Sequence, residues 1–224
     1  MNEALIEKVV KEFIDEMRNT ESLQKVEVKE SIAKDSIEIP LETSARHVHL
    51  SKEDLEFLFG DSEELGVRKK LSQPGQFQYD ERVNLIGPKG NINNVAILGP
   101  ARSQSQVEIS YTDARTLGVQ PPLKDSGDLE GSVGIIISTG KKALNLSKGV
   151  IVAKRHIHMT EEDARKLGVK NGQEVSVKIK SRRPAILEGV LIRVSDNYSF
   201  SMHIDHDEGN ATAYLPGTKA EIVK

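Results

Sequence analysis

The chain is predicted to be mainly β with short helices, built as two related small β-barrel domains from an internal duplication and preceded by an N-terminal amphipathic helix. Three observations predict this. Short apolar runs rich in Val and Ile are separated by Gly-Pro, Lys-Gly and Asn-Gly turns over most of the length. One phrase occurs twice, as Arg46-His47-Val48-His49-Leu50-Ser51 and as Arg155-His156-Ile157-His158-Met159-Thr160. Residues 2–18 carry Leu5, Ile6, Val9, Val10, Phe13, Ile14 and Met17 on one helical stripe, with Glu, Lys and Asp on the other face.

Taken in order, the helix over 2–18 gives way to a polar, mixed-charge stretch at 19–35 that has neither helical nor strand period and reads as a linker. From Ile37 the pattern turns to β, with strands expected at 83–86, 95–98, 133–137, 150–152, 175–179 and 191–194. Ser51-Lys52-Glu53-Asp54, Ser110-Tyr111-Thr112-Asp113 and Thr160-Glu161-Glu162-Asp163 each read as a capped helix start. Two related halves are therefore expected to enclose one site.

The histidines define that site. Residues two apart in a strand project from one face, so His47 with His49, and His156 with His158, each make a two-toothed metal clamp. Aligning residues 113–119 with 163–169 lays Gln106-Val107-Glu108 over His156-Ile157-His158 and puts Glu108 at a ligand position. Continued alternation through Met202–Asp207 sends His203, Asp205 and Asp207 to one face and His206 to the other. Asp205 and Asp207 suit ligands, turn residues or, as we prefer, partners that orient an imidazole. The six histidines and Glu108 allow two three-ligand metals, each with an open position of the catalytic kind. Arg102 is either a surface arginine or an anion-gripping fork beside the ligands.

Composition narrows the chemistry. The 224 residues include no cysteine, which excludes disulfides and thiolate zinc, so a metal must be held by His, Asp and Glu. A net charge of -3 and few aromatics argue against nucleic acid. No apolar run approaches the roughly 20 residues of a membrane span, and a cytoplasmic setting is expected. Cupin barrels also use His-x-His, but with a Glu only a few residues downstream, unlike Glu108. An enzyme acting on an anionic reactant, a zinc hydrolase and a non-catalytic zinc-stabilised module all remain open at this level.

The stretches Ser44–Ser51, Gly99–Ser110, Thr112–Gly118, Arg155–Met159 and Met202–Glu208 resemble the PduL-type phosphate acyltransferases, the phosphate propanoyltransferase family, and the likeness runs from about residue 37 to 215. The resemblance implies reversible transfer of a short acyl group, propanoyl or acetyl, between coenzyme A and inorganic phosphate. It also implies a first strand that joins the C-terminal barrel, hence residues 1–36 as helix and linker, 47–149 as the first barrel, and 37–46 with 150–224 as the second. Position by position, His47, His49 and Glu108 would hold one zinc and His156, His158 and His203 the other. Arg102 would be the catalytic, phosphate-binding arginine, and Thr43, Ser44, Ala45, Lys89 and Asn210 would contact coenzyme A. The chain departs from the family pattern at Ser44-Ala45, Ala96, His206 and Gly209. The N-terminal helix resembles the peptides that dock such enzymes onto bacterial microcompartment shells or cargo, in propanediol or ethanolamine catabolism. A homo-oligomer is compatible with all of this.

Overall fold

The computed structural model describes Lys11, residues 37–60 and residues 65–223. Apart from Lys11, the helix expected over 2–18 and the linker at 19–35 lie outside the described residues. Ile37–Lys224 form one compact unit.

Two closed sheets build that unit. One contains β2 (His47–His49), β4 (Phe77–Ile86), β5 (Asn91–Gly99), β6 (Gln106–Glu108), β8 (Val133–Ser138) and β9 (Ala143–Ala153). Their pairing runs β4, β5, β2, β6, β9, β8 and returns to β4. Outside this ring, β3 (Val67–Lys70) adds to β4 and β7 (Leu123–Lys124) adds to β9. The other ring contains β1 (Ile39–Ser44), β10 (His156–Met159), β11 (Glu174–Lys180), β12 (Ala185–Val194), β13 (Ser201–Asp205) and β14 (Lys219–Val223). It closes in the order β11, β12, β10, β13, β1, β14.

The two rings share one pattern of pairings. β2 is parallel to β5 and antiparallel to β6, as β10 is parallel to β12 and antiparallel to β13. β6 is parallel to β9 where β13 is parallel to β1. The first ring thus uses strands contiguous in sequence, whereas the second draws in β1 from before them.

Alternation places the cores. In β11, Val177 and Ile179 are fully buried while Lys178 and Lys180 face out. Val48, Leu85, Ile97, Val107, Ile137 and Val150 fill the first ring, and Ile39, Ile157, Ile179, Ile192 and Met202 the second. Each such side chain contributes about 1.5–3 kcal/mol by leaving water.

Helices begin where the caps predict them: α1 (Lys52–Phe59), α2 (Tyr111–Leu117) and α3 (Glu161–Leu167), with Ser51, Ser110 and Thr160 accepting from the backbone N–H three residues on. A fourth, α4 (His206–Ala211), corrects the expected strand through Asp207. Asp205 accepts from Glu208 N at 2.8 Å and caps this helix, and Asp207 accepts from Thr112 N at 2.9 Å. Neither aspartate orients an imidazole, because the Asp205-x-x-Glu208 capping box ends the strand before alternation reaches Asp207. Helix α4 seats closely on β1, where a Cβ on Gly209 would meet Thr43 Cγ2 at 2.7 Å. No helix among the described residues is long and apolar enough to cross a membrane.

Candidate metal centre and anion cleft

Each clamp is fixed from behind. The Nδ1–H of His47 donates to Ala45 O at 2.7 Å and that of His156 to Lys154 O at 2.8 Å. A carbonyl only accepts, so each ring carries a proton on Nδ1 and turns Nε2 toward the site as its ligand atom.

Register then supplies the third member of each trio. β6 sets Glu108 opposite His47, and β13 sets His203 opposite His156. Glu108 is therefore the counterpart of His203 and not of His158, as the sequence alignment had it. That alignment matched the helix starts, which recur after both kinds of strand, and so could not tell a clamp strand from its antiparallel partner.

In the first trio, His47 Nε2 lies 3.5 Å from Glu108 Oε2 and His49 Nε2 lies 3.9 Å from Glu108 Oε1. All three ligand atoms fall within 4.8 Å of one another. In the second, the rings of His156, His158 and His203 pack with centroids 4.6–5.3 Å apart. His203 Nε2 lies 2.9 Å from Ser201 Oγ, and His158 Nδ1 is buried with no hydrogen-bond partner among the described residues.

Electrostatics favour neutral imidazoles and an ionised carboxylate, the protonation states a metal requires. Burial, then the neighbouring His47 and Arg102, push the His49 pKa down to about 3. Burial with His156 and His203 takes His158 to about 2, and burial with His156 takes His203 to about 3. Burial alone would raise the Glu108 carboxyl, but His47, His49, a hydrogen bond from Ser126 and the Arg102 guanidinium outweigh it and hold the group at about 2. The first trio fits a three-ligand cation site by its donor set and its convergence.

Arg102 stands beside that trio. Its backbone N–H donates to Leu50 O at 2.9 Å, and the loop behind it is anchored where Ser105 Oγ accepts from Ser51 N at 2.8 Å and donates to Asp54. A Cβ on Gly99 would run into the Phe77 ring, so glycine lets the end of β5 pack closely on β4 just before Arg102. Arg102 Nη1 donates to Ser126 Oγ at 3.1 Å, and Ser126 donates to Glu108 Oε1 at 2.7 Å. Burial lowers the Arg102 pKa, Glu108 opposes the shift and Arg193 adds to it.

A single cleft of about 580 Å³ is lined by all six residues of the two trios, by Arg102 and by Thr43, Ser44 and Ala45. Lys89 and Asn210 are not among its lining residues. Lys89 is exposed in the turn before β5, its backbone N–H donating to Leu117 O at 3.0 Å, and Asn210 is exposed on α4. The sequence reading missed Lys69, Lys70, Gln73, Ser126, Arg193 and Tyr198, all of which line the cleft. A signal existed for the first two in the basic run Arg68-Lys69-Lys70; the others stand in local sequence with no pattern that marks them.

Fold and site define a class, that of two-barrel proteins that turn paired histidine clamps and a half-buried arginine into one cleft. A family model described as phosphate propanoyltransferase matches residues 40–215. A phosphate propanoyltransferase of Alkaliphilus metalliredigens is 55% identical over 224 residues, the whole of both chains. One from Leptotrichia buccalis is 56% identical over 184 residues, covering 82% of this chain and 87% of its own. Another from Thermotoga maritima is 52% identical over 182 residues, covering 81% and 87%. The chain belongs to the phosphate propanoyltransferase family.

Proposed function

We propose that this protein reversibly transfers a short acyl group, propanoyl in preference to acetyl, between coenzyme A and inorganic phosphate, with two zinc ions per chain. The observation that carries the reading is the line from Arg102 through Ser126 to Glu108, which ties an anion-binding guanidinium to a metal-competent trio in one cleft. His47, His49 and Glu108 would hold one zinc, and His156, His158 and His203 the other. Zinc bound there supplies Lewis acidity toward the thioester carbonyl and affinity for the departing sulfur.

The protein's own groups do the rest. Arg102 strips water from phosphate and aims one oxygen at the thioester carbon, while Arg193 adds positive charge from the second ring. The new C–O bond forms as the C–S bond breaks, and coenzyme A leaves with the sulfur electron pair, so no acyl-enzyme is needed. Lys69 and Lys70 beside Thr43, Ser44 and Ala45 suit the phosphates of coenzyme A at the cleft mouth. Lys89 and Asn210 would meet the cofactor where it extends past the cleft.

Thiol release from propanoyl-CoA, measured with and without phosphate, tests the reading. Release should require phosphate and yield propanoyl phosphate. Arg102→Lys should lower kcat/KM for phosphate on the order of 100-fold with zinc content unchanged. Release without phosphate would instead support a thioester hydrolase.

The finer setting belongs to the same proposal. Residues 1–20 would dock the enzyme onto microcompartment shell or cargo proteins in the cytoplasm, and their deletion should leave activity intact while abolishing co-localisation with the shell. The common pairing pattern of the rings supports their origin by duplication.

A further inference from the structure

Arg46 and Arg155 stand immediately before the clamp strands β2 and β10, and the function above leaves both unused. Each meets a carboxylate at the same point of its own ring. Arg46 Nη2 lies 2.9 Å from Asp113 Oδ1, and Arg155 Nη1 lies 2.7 Å from Glu208 Oε1. The second oxygen of each carboxylate is also engaged, accepting from the N-cap backbone N–H: Ser110 N to Asp113 Oδ2 at 3.3 Å and Asp205 N to Glu208 Oε2 at 3.0 Å. Those N-caps stand two residues after Glu108 and His203, the third members of the two trios.

The path therefore closes on itself in both rings. It runs from the first clamp histidine to its arginine, across to the helix carboxylate, back through the cap and along the strand to the third ligand. The acidic residues at the same helical position of α1 and α3 do not share this job, since Asp54 accepts from Ser105 and Asp163 from Thr160. Among the described residues, an arginine is paired only on the two helices that follow a third ligand.

We propose that Arg46–Asp113 and Arg155–Glu208 are two independent braces, made of positioning residues, that hold each clamp strand to the strand of its third ligand and so set how long each metal is retained. The inference rests on the two-zinc reading. Each brace governs its own trio: Arg46 and Asp113 the one containing Glu108, Arg155 and Glu208 the one containing His203. The Arg46 brace carries more weight, because Asp113 is only 4% exposed and its carboxylate has no water to turn to once the guanidinium is gone.

Zinc-loaded full-length protein challenged with excess chelator tests this, with His47→Ala and His156→Ala assigning the two release steps. Asp113→Asn and Glu208→Gln keep an oxygen for the cap and remove only the charge pair. Asp113→Asn should speed release of the first trio's zinc about 10- to 100-fold and spare the other, and Glu208→Gln should do the reverse. Arg46→Lys should restore part of what Arg46→Gln loses. Wild-type release rates in both variants, or equal acceleration of both zincs together with a fall in thermal midpoint, would reduce the pairs to ordinary ion pairs and overturn the proposal alone. A wild-type chain that takes up no zinc would overturn the metal reading and the braces with it.

Discussion

Ser126 uses its hydroxyl to capacity, accepting from Arg102 and Gln106 and donating to Glu108. Ser126→Ala should free both Arg102 and the Glu108 carboxylate at a stability cost of about 1 kcal/mol, seen as a raised KM for phosphate with near-native urea unfolding. The histidines carry a pH prediction. His49, His158 and His203, held at about 3, 2 and 3 against an ordinary 6.5, stay neutral in the fold but take up protons once unfolded. Metal-free protein should therefore lose stability as pH falls from 6.5 toward 3, by up to about 1.4 kcal/mol per pH unit for each group. Glu108 acts in the same direction, from 4.5 down to about 2. Urea midpoints measured at a series of pH values check this, and a midpoint that stays flat down to about pH 5 would contradict it. His47, His49, His156 and His158 are legible in sequence because a strand's period of two makes the spacing itself meaningful. Ser126 and Arg193 are not, because only closure of the rings brings them to the cleft.

At the scale of elements, the hairpin turn between β3 and β4 reaches from the first ring into the second. Gln73 Nε2 donates to Ser199 O and to Ser201 Oγ, both at 3.0 Å, its Oε1 accepts from Ser199 N at 3.2 Å, and its amide lies 3.4 Å from His203 Nε2. Gln73→Ala would remove the partner of Ser199 N and O and leave Ser201 Oγ only His203, and should cost about 1–3 kcal/mol in urea unfolding, with the His203 ring resonances shifted in NMR spectra. An unshifted His203 would show that the turn does not restrain the ring. Strands whose apolar residues alternate or run together, such as those at 83–86 and 175–179, were readable because burial imposes that pattern. The Leu71–Gln76 turn has no period, and its partners lie over a hundred residues away, so nothing local announces it. The short helix after His203 escaped for a different reason: a cap and an alternating strand compete over the same six residues, and the cap prevails.

Over the whole molecule, the place of β1 makes the N-terminal boundary of the folded unit sharp. It lies between β13 and β14, with Ile39 fully buried and Leu41 nearly so. A chain beginning at Ile37 should keep both rings and bind as much zinc as the full-length protein. One beginning at His47 should lose closure of the second ring, with zinc binding halved and its unfolding transition broadened; an unchanged stoichiometry would show that the ring tolerates the gap. The same connectivity orders events during synthesis. The first ring needs only residues from His47 to Ala153, so it can close while the rest of the chain is still on the ribosome. β1 emerges before any of it, yet must wait for its partners at residues 201–205 and 219–223. Pairing over so long a separation is slow in comparison with local contacts. A newly made chain therefore passes through a stage in which one histidine trio is assembled and the other is not, with β1 unpaired, and that stage is the one a chaperone would meet.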